Sequence, residues 1–480
     1  MSSEVDRLLD TITRAVKSLN LACSSGGTSV PSINEPFQPS SENFRGSFEA
    51  LQAARIISAA ALQLEAVVAP PQVVLYHVVG GFFKSMALRV CLESNVTEIL
   101  REAGPEGMHV RDIARYNGQD SQKLARFLRY LCSNHVYREV SPDVFANNRI
   151  SSLLDTRKTI DELRSRPLDK YKNTDGTAAL VGHHLDECFK GAAYAWESLN
   201  DPDMIHAKEH IGTPLNKAFN SETPYFNFIQ NDDHRRLRFD VSMQGMERVQ
   251  PPDTTLNAFE WGKLPEGSKI VDVGGGVGSV LFPLAENFPE LKLVIQDLPG
   301  VVDNARKVWT ERMPSALQTG QVTPEAHNFF EKQPQEETSV FLLKHVLHNW
   351  SDSSCVAILK QLRDASSDFT RLVVMDSAMP YVCRSRNQRT SFMDIPMTAT
   401  EEAPDPLLAN YGALNEISYV LDMVMFVILN TQERTYEQLD KLLNESGWTI
   451  SSVKRRPGDA AFVQIEAEPN KTFNGGQSRL

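Results

Sequence analysis

The chain has 480 residues, of which 41% are hydrophobic and 23% are charged, as is ordinary for a soluble globular protein. At roughly 150 residues per domain, this length predicts two or three domains with substantial cores. The formal net charge of −12 argues against nucleic acid or an anionic membrane surface as the main partner. It is compatible with a small neutral or weakly acidic ligand.

The cysteines and the apolar segments indicate a cytoplasmic protein. The six cysteines form no C-x-x-C pair and no zinc-ligand spacing, which is typical of free thiols in a reducing compartment. Residues 1–20 lack the apolar core of a secretory signal. The most apolar stretch, residues 62–90, is interrupted by Pro70, Pro71 and Lys84, so no membrane-spanning helix is predicted.

The first half of the chain is predicted to be mainly helical. Apolar residues recur at helical spacing over residues 4–20 and again over 48–66. Between them, residues 23–44 are rich in Ser, Pro, Gly and Asn, which predicts a linker. Residues 160–265 again favour helices.

Residues 72–155 show a winged-helix pattern, two helices followed by a hairpin. One helix is predicted to begin at Met108, Ser121 can cap the next, and a hairpin follows over 136–145. This pattern permits DNA binding, because residues 111–139 carry a local charge of 6 − 3 = +3. The acidic balance of the whole chain argues against that interpretation.

An acidic, histidine-containing stretch follows, with His183, His184 and Asp186. Adjacent residues point to different faces of a helix, whereas a metal-binding helix favours ligands at i and i+4. We therefore predict ordinary surface histidines here rather than a metal site.

Residues 267–467 alternate short apolar runs with amphipathic stretches, which predicts an α/β fold with a mostly parallel sheet. The predicted strands are residues 269–273, 291–296, 340–343, 371–375, 450–453 and 462–465. The last two runs are close together in sequence, which suits a terminal antiparallel pair.

A glycine-rich turn is the clearest local signal for a ligand. The first strand of this region contains Asp272 and runs into Gly274, Gly276 and Gly278, whose missing side chains let a ligand approach the backbone. A dinucleotide motif would need glycine rather than serine at position 279. The carboxylate of Asp272 instead suits a cationic ligand such as S-adenosylmethionine. Asp297 follows Gly278 by 297 − 278 = 19 residues, as expected for a carboxylate that binds a ribose diol.

His348 is a candidate general base. It follows the strand at 340–343, so it should lie at the same sheet edge as the glycine turn, and imidazole titrates near neutral pH. Asp376 follows the next strand and Glu433 precedes a predicted helix. Either carboxylate could orient the imidazole, and either could instead cap a neighbouring segment; the sequence leaves both open.

Together these motifs resemble the plant caffeate-type O-methyltransferases and, more closely, their fungal secondary-metabolite relatives. The resemblance covers residues 75–467 and rests on the run from Asp272 to Gly278, on Q-D-L-P at 296–299, on L-H-N-W-S-D at 347–352 and on E-R-T at 433–435. It implies a class I methyltransferase domain, with a Rossmann-like, seven-stranded, mostly parallel sheet and an antiparallel last strand. It also implies a homodimer formed through the winged-helix-like region.

The resemblance also implies a role for each matched residue. S-adenosyl-L-methionine would be held by Asp272, Gly274, Gly276, Gly278, Asp297, Asn328, Phe329 and Lys344. His348 would be the catalytic base, with Asp376 and Glu433 beside it, and no metal would take part. The substrate, a small aromatic phenol of polyketide type, would contact Met243, Met425 and Asn430. The implied domains are 1–47 (helix and linker), 48–160 (dimerisation), 161–265 (helical connection), 266–468 (catalytic) and 469–480 (tail).

Two positions depart from the family pattern, and three different functions remain compatible with the sequence. Asn328 and Asn349 stand where the family usually has aspartate; the amide oxygen of Asn328 can still accept a hydrogen bond from adenine. A methyltransferase-like cyclase or pericyclase would keep the cofactor but has less need of His348 and its carboxylates. A winged-helix regulatory protein and an N-methyltransferase are also compatible with these motifs.

Overall fold

The computed structural model describes residues 3–208, 210–249, 253–384, 402–455 and 462–472. The chain divides into two compact units, Met1–Gln250 and Pro251–Leu480. The first unit is helical apart from one small sheet, and the second contains the large sheet.

The helices of the first unit are α1 (Glu4–Ser25), α2 (Phe48–Val68), α3 (Pro71–Val79), α4 (Gly81–Glu93), α5 (Val96–Ala103), α6 (Val110–Asn117), α7 (Ser121–Cys132), α8 (Ile160–Ser165), α9 (Thr177–His183), α10 (Phe189–Ala192), α11 (Ala195–Leu199), α12 (Pro214–Phe219), α13 (Tyr225–Gln230) and α14 (Asp233–Val249). The strands β1 (Met108–His109), β2 (Arg138–Ser141) and β3 (Val144–Ala146) form an antiparallel sheet in the order β1-β3-β2.

The segment predicted as a linker is partly packed. Cys23 lies in the last turn of α1, and a 3-10 helix, Pro39–Arg45, carries the buried side chain of Phe44. Leu19 and Cys23 form a small core with Phe44 and Ala50 of α2. The prediction of a linker over 23–44 is therefore wrong at both ends, because apolar side chains there find partners on α2.

The winged-helix region has the predicted hairpin, with Pro142 and Asp143 between β2 and β3. Two local details differ from the prediction. Met108 lies in β1 rather than in a helix, and the side chain of His109 accepts a hydrogen bond from the backbone N–H of Arg111 at the start of α6. Asp120, not Ser121, caps the N-terminus of α7. Aspartate and serine are comparable N-cap residues, so the sequence could not show at which of these two neighbouring positions the helix begins.

The two histidines expected at the surface are buried or half-buried instead. His183 is 3% exposed, and its Nδ1 lies 3.1 Å from Oε2 of Glu187 in a π-helical turn, His184–Cys188. Arg238 of α14 donates to Oδ2 of Asp186 at 2.8 Å. Glu187 lies one helical turn from His183 and so fixes its ring, a pairing that the spacing of the histidines alone could not reveal.

The second unit contains the α/β sheet. Its helices are α15 (Thr254–Ala258), α16 (Phe282–Asn287), α17 (Pro299–Arg312), α18 (Pro314–Gln318), α19 (Asp352–Asp364), α20 (Glu416–Leu429) and α21 (Tyr436–Glu445), and its strands are β4 (Lys269–Val273), β5 (Lys292–Asp297), β6 (Val322–Ala326), β7 (Val340–Lys344), β8 (Arg371–Ser377), β9 (Trp448–Arg455) and β10 (Phe462–Pro469). The strand order is β6-β5-β4-β7-β8-β10-β9. β10 runs antiparallel to both of its neighbours, β8 and β9, and the other described strand pairs of this sheet are parallel, as expected for the antiparallel last strand.

β6 is the strand that no apolar run predicted. It contains Pro324 and alternates buried with exposed residues. It lies at the edge of the sheet and pairs only with β5, and an edge strand tolerates proline because one row of its backbone amides needs no partner strand.

The central strands are buried on both faces, and this explains their continuous apolar runs. Within the sheet, β4 lies between β5 and β7. The connections after β4, β5, β7 and β8 therefore meet at the carboxyl edge of the parallel strands, where open α/β sheets bind their ligands.

Two described helices are long and apolar enough, by length and composition alone, to cross a membrane: Phe48–Val68 and Gly412–Leu429. The prediction that no helix has this length and composition is therefore wrong for both helices. Lys84 and the two prolines, which interrupt residues 62–90, lie beyond the end of the first helix. In the most apolar 18 residues of each helix, 28% of the residues are buried in Phe48–Val68 and 39% in Gly412–Leu429.

Candidate active site

The glycine turn after β4 depends on backbone conformations that favour glycine. Gly274, Gly276 and Gly278 have φ values of 66°, 59° and 72°, where a Cβ atom is disfavoured. A Cβ on Gly278 would lie 2.4 Å from Cδ1 of Ile295, whereas one on Gly276 would meet nothing within 4 Å. Gly278 therefore permits close packing, and Gly276 faces open space.

Gly275 serves a different purpose that the sequence analysis missed. A Cβ at this position would lie 2.3 Å from Oδ2 of Asp272, so glycine leaves room for that carboxylate. Asp272 is 1% exposed and lies in β4. The acidic residue and the turn consequently form one unit, with the carboxylate directly beneath the backbone.

Asp297, at the end of β5, is tied to the same turn. Its Oδ2 accepts a hydrogen bond from the backbone N–H of Gly276 at 2.9 Å, and its Oδ1 accepts one from Leu298 at 2.7 Å. Burial raises the pKa of Asp297 above its usual value. Each oxygen keeps a lone pair for a further donor.

Phe329 forms one wall of the glycine turn. Its Cε1 atom lies 3.2 Å from the position of a Cβ on Gly274. The ring meets Phe330 and Trp350 edge to face, with centroid distances of 5.1 and 5.7 Å. Asn328 turns its amide oxygen to the backbone N–H of Phe330 at 3.2 Å, so its oxygen already accepts one bond within its own loop.

His348 lies in a short 3-10 turn, Leu347–Asn349, directly after β7. Its Nδ1 is 2.9 Å from Oε1 of Glu433 and 3.6 Å from Oδ1 of Asp376. The backbone N–H of His348 also donates to Oδ2 of Asp376 at 3.3 Å. The three residues predicted to act together are thus in one cluster, although Glu433 is 85 positions away in sequence.

The two carboxylates control the protonation of the imidazole. Burial by itself lowers the pKa of His348, but the charge of Asp376 and the hydrogen bond and charge of Glu433 outweigh it and raise the pKa to about 9. Conversely, burial favours a raised pKa for Asp376, but the charge of His348, the neighbouring His345 and the backbone N–H of Ser377 together outweigh burial and lower that pKa. A hydrogen bond from Nδ1–H to Glu433 leaves the lone pair of the neutral ring on Nε2.

Arg434 braces the turn that carries His348. Its side chain is 2% exposed, and its guanidinium donates to the backbone carbonyls of Leu347 and Trp350, both at 2.7 Å. It also donates through Nε to Oδ1 of Asp352 at 3.0 Å. Because Arg434 directly follows Glu433 in the chain, its planar guanidinium ties both ends of the His348 turn to the segment that carries Glu433.

The glycine turn and the His348 turn are in contact. Cγ2 of Val346, two residues before His348, lies 3.2 Å from the Cβ position of Gly274. Trp350, two residues after His348, meets the ring of Phe329. A ligand held at the glycine turn is therefore next to the imidazole.

Comparisons with known proteins agree with this geometry. Residues 196–414 match an O-methyltransferase domain, and residues 76–157, the winged-helix region, match an O-methyltransferase dimerisation domain. 4-O-methyltransferase 1 of Phanerochaete chrysosporium is 45% identical over 471 residues, which cover 98% of this chain and 100% of that protein. O-methyltransferase gedA of Aspergillus terreus is 30% identical over 441 residues, 85% of each chain.

The chain belongs to the O-methyltransferase family. It is an S-adenosylmethionine-dependent O-methyltransferase, with a helical N-terminal dimerisation domain and a Rossmann-like catalytic domain. The match of residues 76–157 to a dimerisation domain replaces the DNA-binding interpretation of the winged helix.

Solved structures share the fold of this O-methyltransferase. The mitomycin 7-O-methyltransferase MmcR aligns with a TM-score of 0.62 at 20% identity, over 83% of this chain and 98% of that one. A pericyclic reaction enzyme aligns with a TM-score of 0.66 at 16% identity, over 96% of this chain and 100% of that one. Because the same fold hosts both chemistries, the fold does not decide between them. The two sequence relatives described above are both named as O-methyltransferases.

The residues around the glycine turn fit S-adenosylmethionine. The open space at Gly276 would admit a ligand against the backbone, and the carboxylate of Asp297 beside it could accept from two ribose hydroxyls. Phe329 offers an apolar face of the kind that packs an adenine. Lys344 ends β7 at the same edge of the sheet.

The predicted substrate residues belong to both units of the chain. Met425 is buried in α20, and Asn430 ends that helix with a left-handed φ of 54°. Met243 lies in α14 of the first unit and is half-buried.

Two residues at the centre of the site were not singled out from the sequence. Arg434 was recognised only as part of a motif, and His345 not at all. The signal for His345 was its spacing of three residues from His348, which places two imidazoles on one side of a tight turn.

Proposed function

We propose that this O-methyltransferase methylates a phenolic hydroxyl of a small aromatic molecule, with His348 as the general base. The observation that carries the proposal is the contact of 2.9 Å between Nδ1 of His348 and Oε1 of Glu433. This contact fixes the ring with Nε2 available as a proton acceptor, beside the glycine turn that would hold the cofactor.

The proton affinities are well matched. A phenol resembles tyrosine, with a pKa of about 10, and the carboxylates raise the pKa of His348 to about 9. Proton transfer from the phenol to Nε2 therefore costs little free energy, because donor and acceptor differ by about one pKa unit. Asp376 and Glu433 act as positioning residues that stabilise the imidazolium formed.

Bound S-adenosylmethionine supplies the electrophilic methyl group on its sulfonium. The chain's own contribution is to hold the cofactor at the glycine turn through Gly274, Gly276 and Gly278, with Asp297 on the ribose and Phe329 on the adenine. Holding the phenol oxygen and the base within reach of this site supplies much of the acceleration. Met243, Met425 and Asn430 are proposed to contact the substrate.

One relative whose name includes a substrate supports a secondary metabolite as the substrate. The sterigmatocystin 8-O-methyltransferase of Aspergillus flavus is 27% identical over 64% of this chain. An aromatic polyketide such as a hydroxyanthraquinone is the proposed substrate class. All six cysteines are free, which suits the proposed cytoplasmic location.

Methyl transfer from labelled S-adenosylmethionine to a panel of polycyclic phenols tests this proposal. We expect wild type to form a labelled aryl ether and His348→Ala to lose at least about 100-fold in kcat/KM, since general bases contribute 10²–10⁴. Cofactor binding by His348→Ala, measured by calorimetry, should be unchanged. The exposed His135 provides the control, His135→Ala, which should keep full activity. Methylation that survives in His348→Ala would exclude His348 as the base.

A further inference from the structure

A second imidazole lies beside the proposed base. His345 follows β7 with a left-handed φ of 53°, and its backbone N–H donates to the carbonyl of Met375 at 3.0 Å. Its ring centroid is 5.3 Å from that of His348, and its side chain is 31% exposed. Solvent can therefore reach this ring, although His348 next to it is nearly enclosed.

Both imidazoles approach the same carboxylate oxygen. Nδ1 of His345 lies 3.8 Å from Oδ1 of Asp376, and Nδ1 of His348 lies 3.6 Å from that atom. One ligand atom from each of the three residues lies within 4.8 Å of the others. Bonds of about 2.1 Å in a tetrahedral zinc site separate its ligand atoms by about 3.4 Å, so these two separations need to shorten by only a few tenths of an ångström.

The donor set suits a transition-metal dication. Two imidazole nitrogens with one carboxylate are ligands that Zn²⁺ and Co²⁺ prefer, and the carboxylate is held in place by backbone N–H groups. Glu433 lies against the same nitrogen of His348, and its Oε2 is buried with no hydrogen-bond partner among the described residues. It is placed to supply an oxygen as the fourth ligand atom.

We propose that His345, His348 and Asp376 form a binding site for a transition-metal dication such as Zn²⁺, and that an ion bound there inhibits methyl transfer. The inhibition rests on the proposed function, because it requires His348 to be the base; the binding does not. When an ion binds Nδ1 of the protonated ring, the proton on that nitrogen passes to solvent and the other proton stays on Nε2; in the neutral ring the single proton moves from Nδ1 to Nε2. A ring in this state has no lone pair left to accept the phenolic proton.

Binding is tested on the full chain with Co²⁺, whose visible absorption reports coordination by protein ligands, and with Zn²⁺ in competition. The discriminating variant is His345→Asn, because asparagine tolerates a left-handed φ but is a poor ligand for these ions. The matched control is His135→Asn, the same change at an exposed residue with a φ of 61°. Cys383→Ser removes the exposed thiol as an unrelated zinc ligand.

Wild type, His135→Asn and Cys383→Ser are expected to bind one ion at this site and to lose activity as it fills. His345→Asn should bind Zn²⁺ at least about 100-fold more weakly, since losing even an outer partner of a metal ligand costs 10–100-fold. Zn²⁺ at the concentration that inhibits wild type should then leave the metal-free activity of His345→Asn, whatever its level, unchanged.

Equal Zn²⁺ affinity in wild type and His345→Asn would contradict the proposed metal site, and it would not bear on the proposed function. Binding that depends on His345 but leaves activity unchanged would overturn the inhibition. The proposed function is tested separately, by methyl transfer in metal-free buffer. Activity that survives there in His348→Ala would contradict the role of His348 as the base without bearing on the metal site.

Discussion

At the scale of single residues, the site depends on how two carboxylates set the proton affinity of one imidazole. His348 is almost enclosed, and burial alone would keep its ring neutral and its pKa low. Asp376 and Glu433 reverse this and raise the pKa to about 9. In the free enzyme near pH 7 the imidazole is therefore mostly protonated, and catalysis requires it to lose that proton.

Activity should accordingly rise with pH. We expect kcat/KM of the wild type to increase up to about pH 9, the pKa of His348, and then to level off. In Glu433→Gln the ring loses a negative neighbour, so the rising limb should move to lower pH while the maximal rate falls. Rates measured across pH for both proteins check this. A limb that stays at the same pH would show that Glu433 does not control the proton on His348.

The same pKa shift predicts a pH-dependent stability. Because the pKa of His348 is raised from 6.5 to about 9, the imidazolium stabilises the folded state. That contribution is complete below about pH 6.5 and is lost as the pH rises through about 9. The melting temperature of wild type should fall more over this window than that of Glu433→Gln.

At the scale of elements, the glycine turn after β4 and the turn after β7 form the two halves of the site. Each is a short connection at the carboxyl edge of the sheet, and each is held by a residue from elsewhere in the chain. Asp297 accepts a hydrogen bond from the first turn, and Arg434 donates to the second. The geometry of the site therefore depends on these two attachments.

Gly276→Ala tests the first half. The new methyl group would point into open space that the cofactor is proposed to fill, so the dissociation constant for S-adenosylmethionine should rise at least about tenfold, or ~1.4 kcal/mol. Gly118→Ala is the control, since Gly118 also has a left-handed φ, of 73°, with nothing within 4 Å of its Cβ position. Both variants share the same backbone strain, and only the first should lose affinity in calorimetry. Equal affinities would place the cofactor elsewhere.

Arg434→Lys tests the second half. Lysine cannot reproduce a guanidinium that reaches Leu347, Trp350 and Asp352 together. The turn should shift, and kcat should fall by about 100-fold, as expected when a catalytic group moves by about 1 Å, while cofactor affinity stays constant. Arg363→Lys is the control, because Arg363 donates from α19 to the carbonyl of Gly447, away from the site. Equal losses of kcat in both variants would indicate a general effect on the fold.

At the scale of the whole molecule, the first unit carries a dimerisation domain and an uncovered apolar surface. The exposed residues of this surface are Leu62, Val67, Val68, Val73, Leu75, Tyr76, Val78, Val79, Phe82 and Phe83. An apolar surface of this extent is typical of a protein interface. We propose that a second copy of the chain covers it in a homodimer.

Val78→Asp tests the dimer. Val78 is 73% exposed, so aspartate costs the isolated chain little but would place a charge in the interface. Light scattering after size exclusion should give a dimer for wild type and a monomer for the variant. Phe369→Asp, at an 88% exposed phenylalanine of the second unit, is the control and should stay dimeric. A dimer that persists in Val78→Asp would assign this surface to another partner.

Local patterns in the sequence predicted much of the fold and many of the site residues. The strands β7 and β8 were predicted from apolar runs, which reflect the burial of both of their faces. The glycine turn was predicted from the glycines that its left-handed backbone conformations favour. The family resemblance predicted His348, Asp376 and Glu433 as a group, and the structure brings them together.

Other features depended on contacts between residues that are distant in sequence. The edge position of β6 permits its proline, and the pairing of His183 with Glu187 accounts for a histidine that was expected at the surface. The roles of Gly275, Arg434 and His345 required three-dimensional distances, because each acts on an atom that the chain brings close only on folding. Local sequence patterns thus predict most of the elements and the chemical groups they carry. Which of these groups interact depends on the folded chain, since hydrogen bonds and charges act only over a few ångströms.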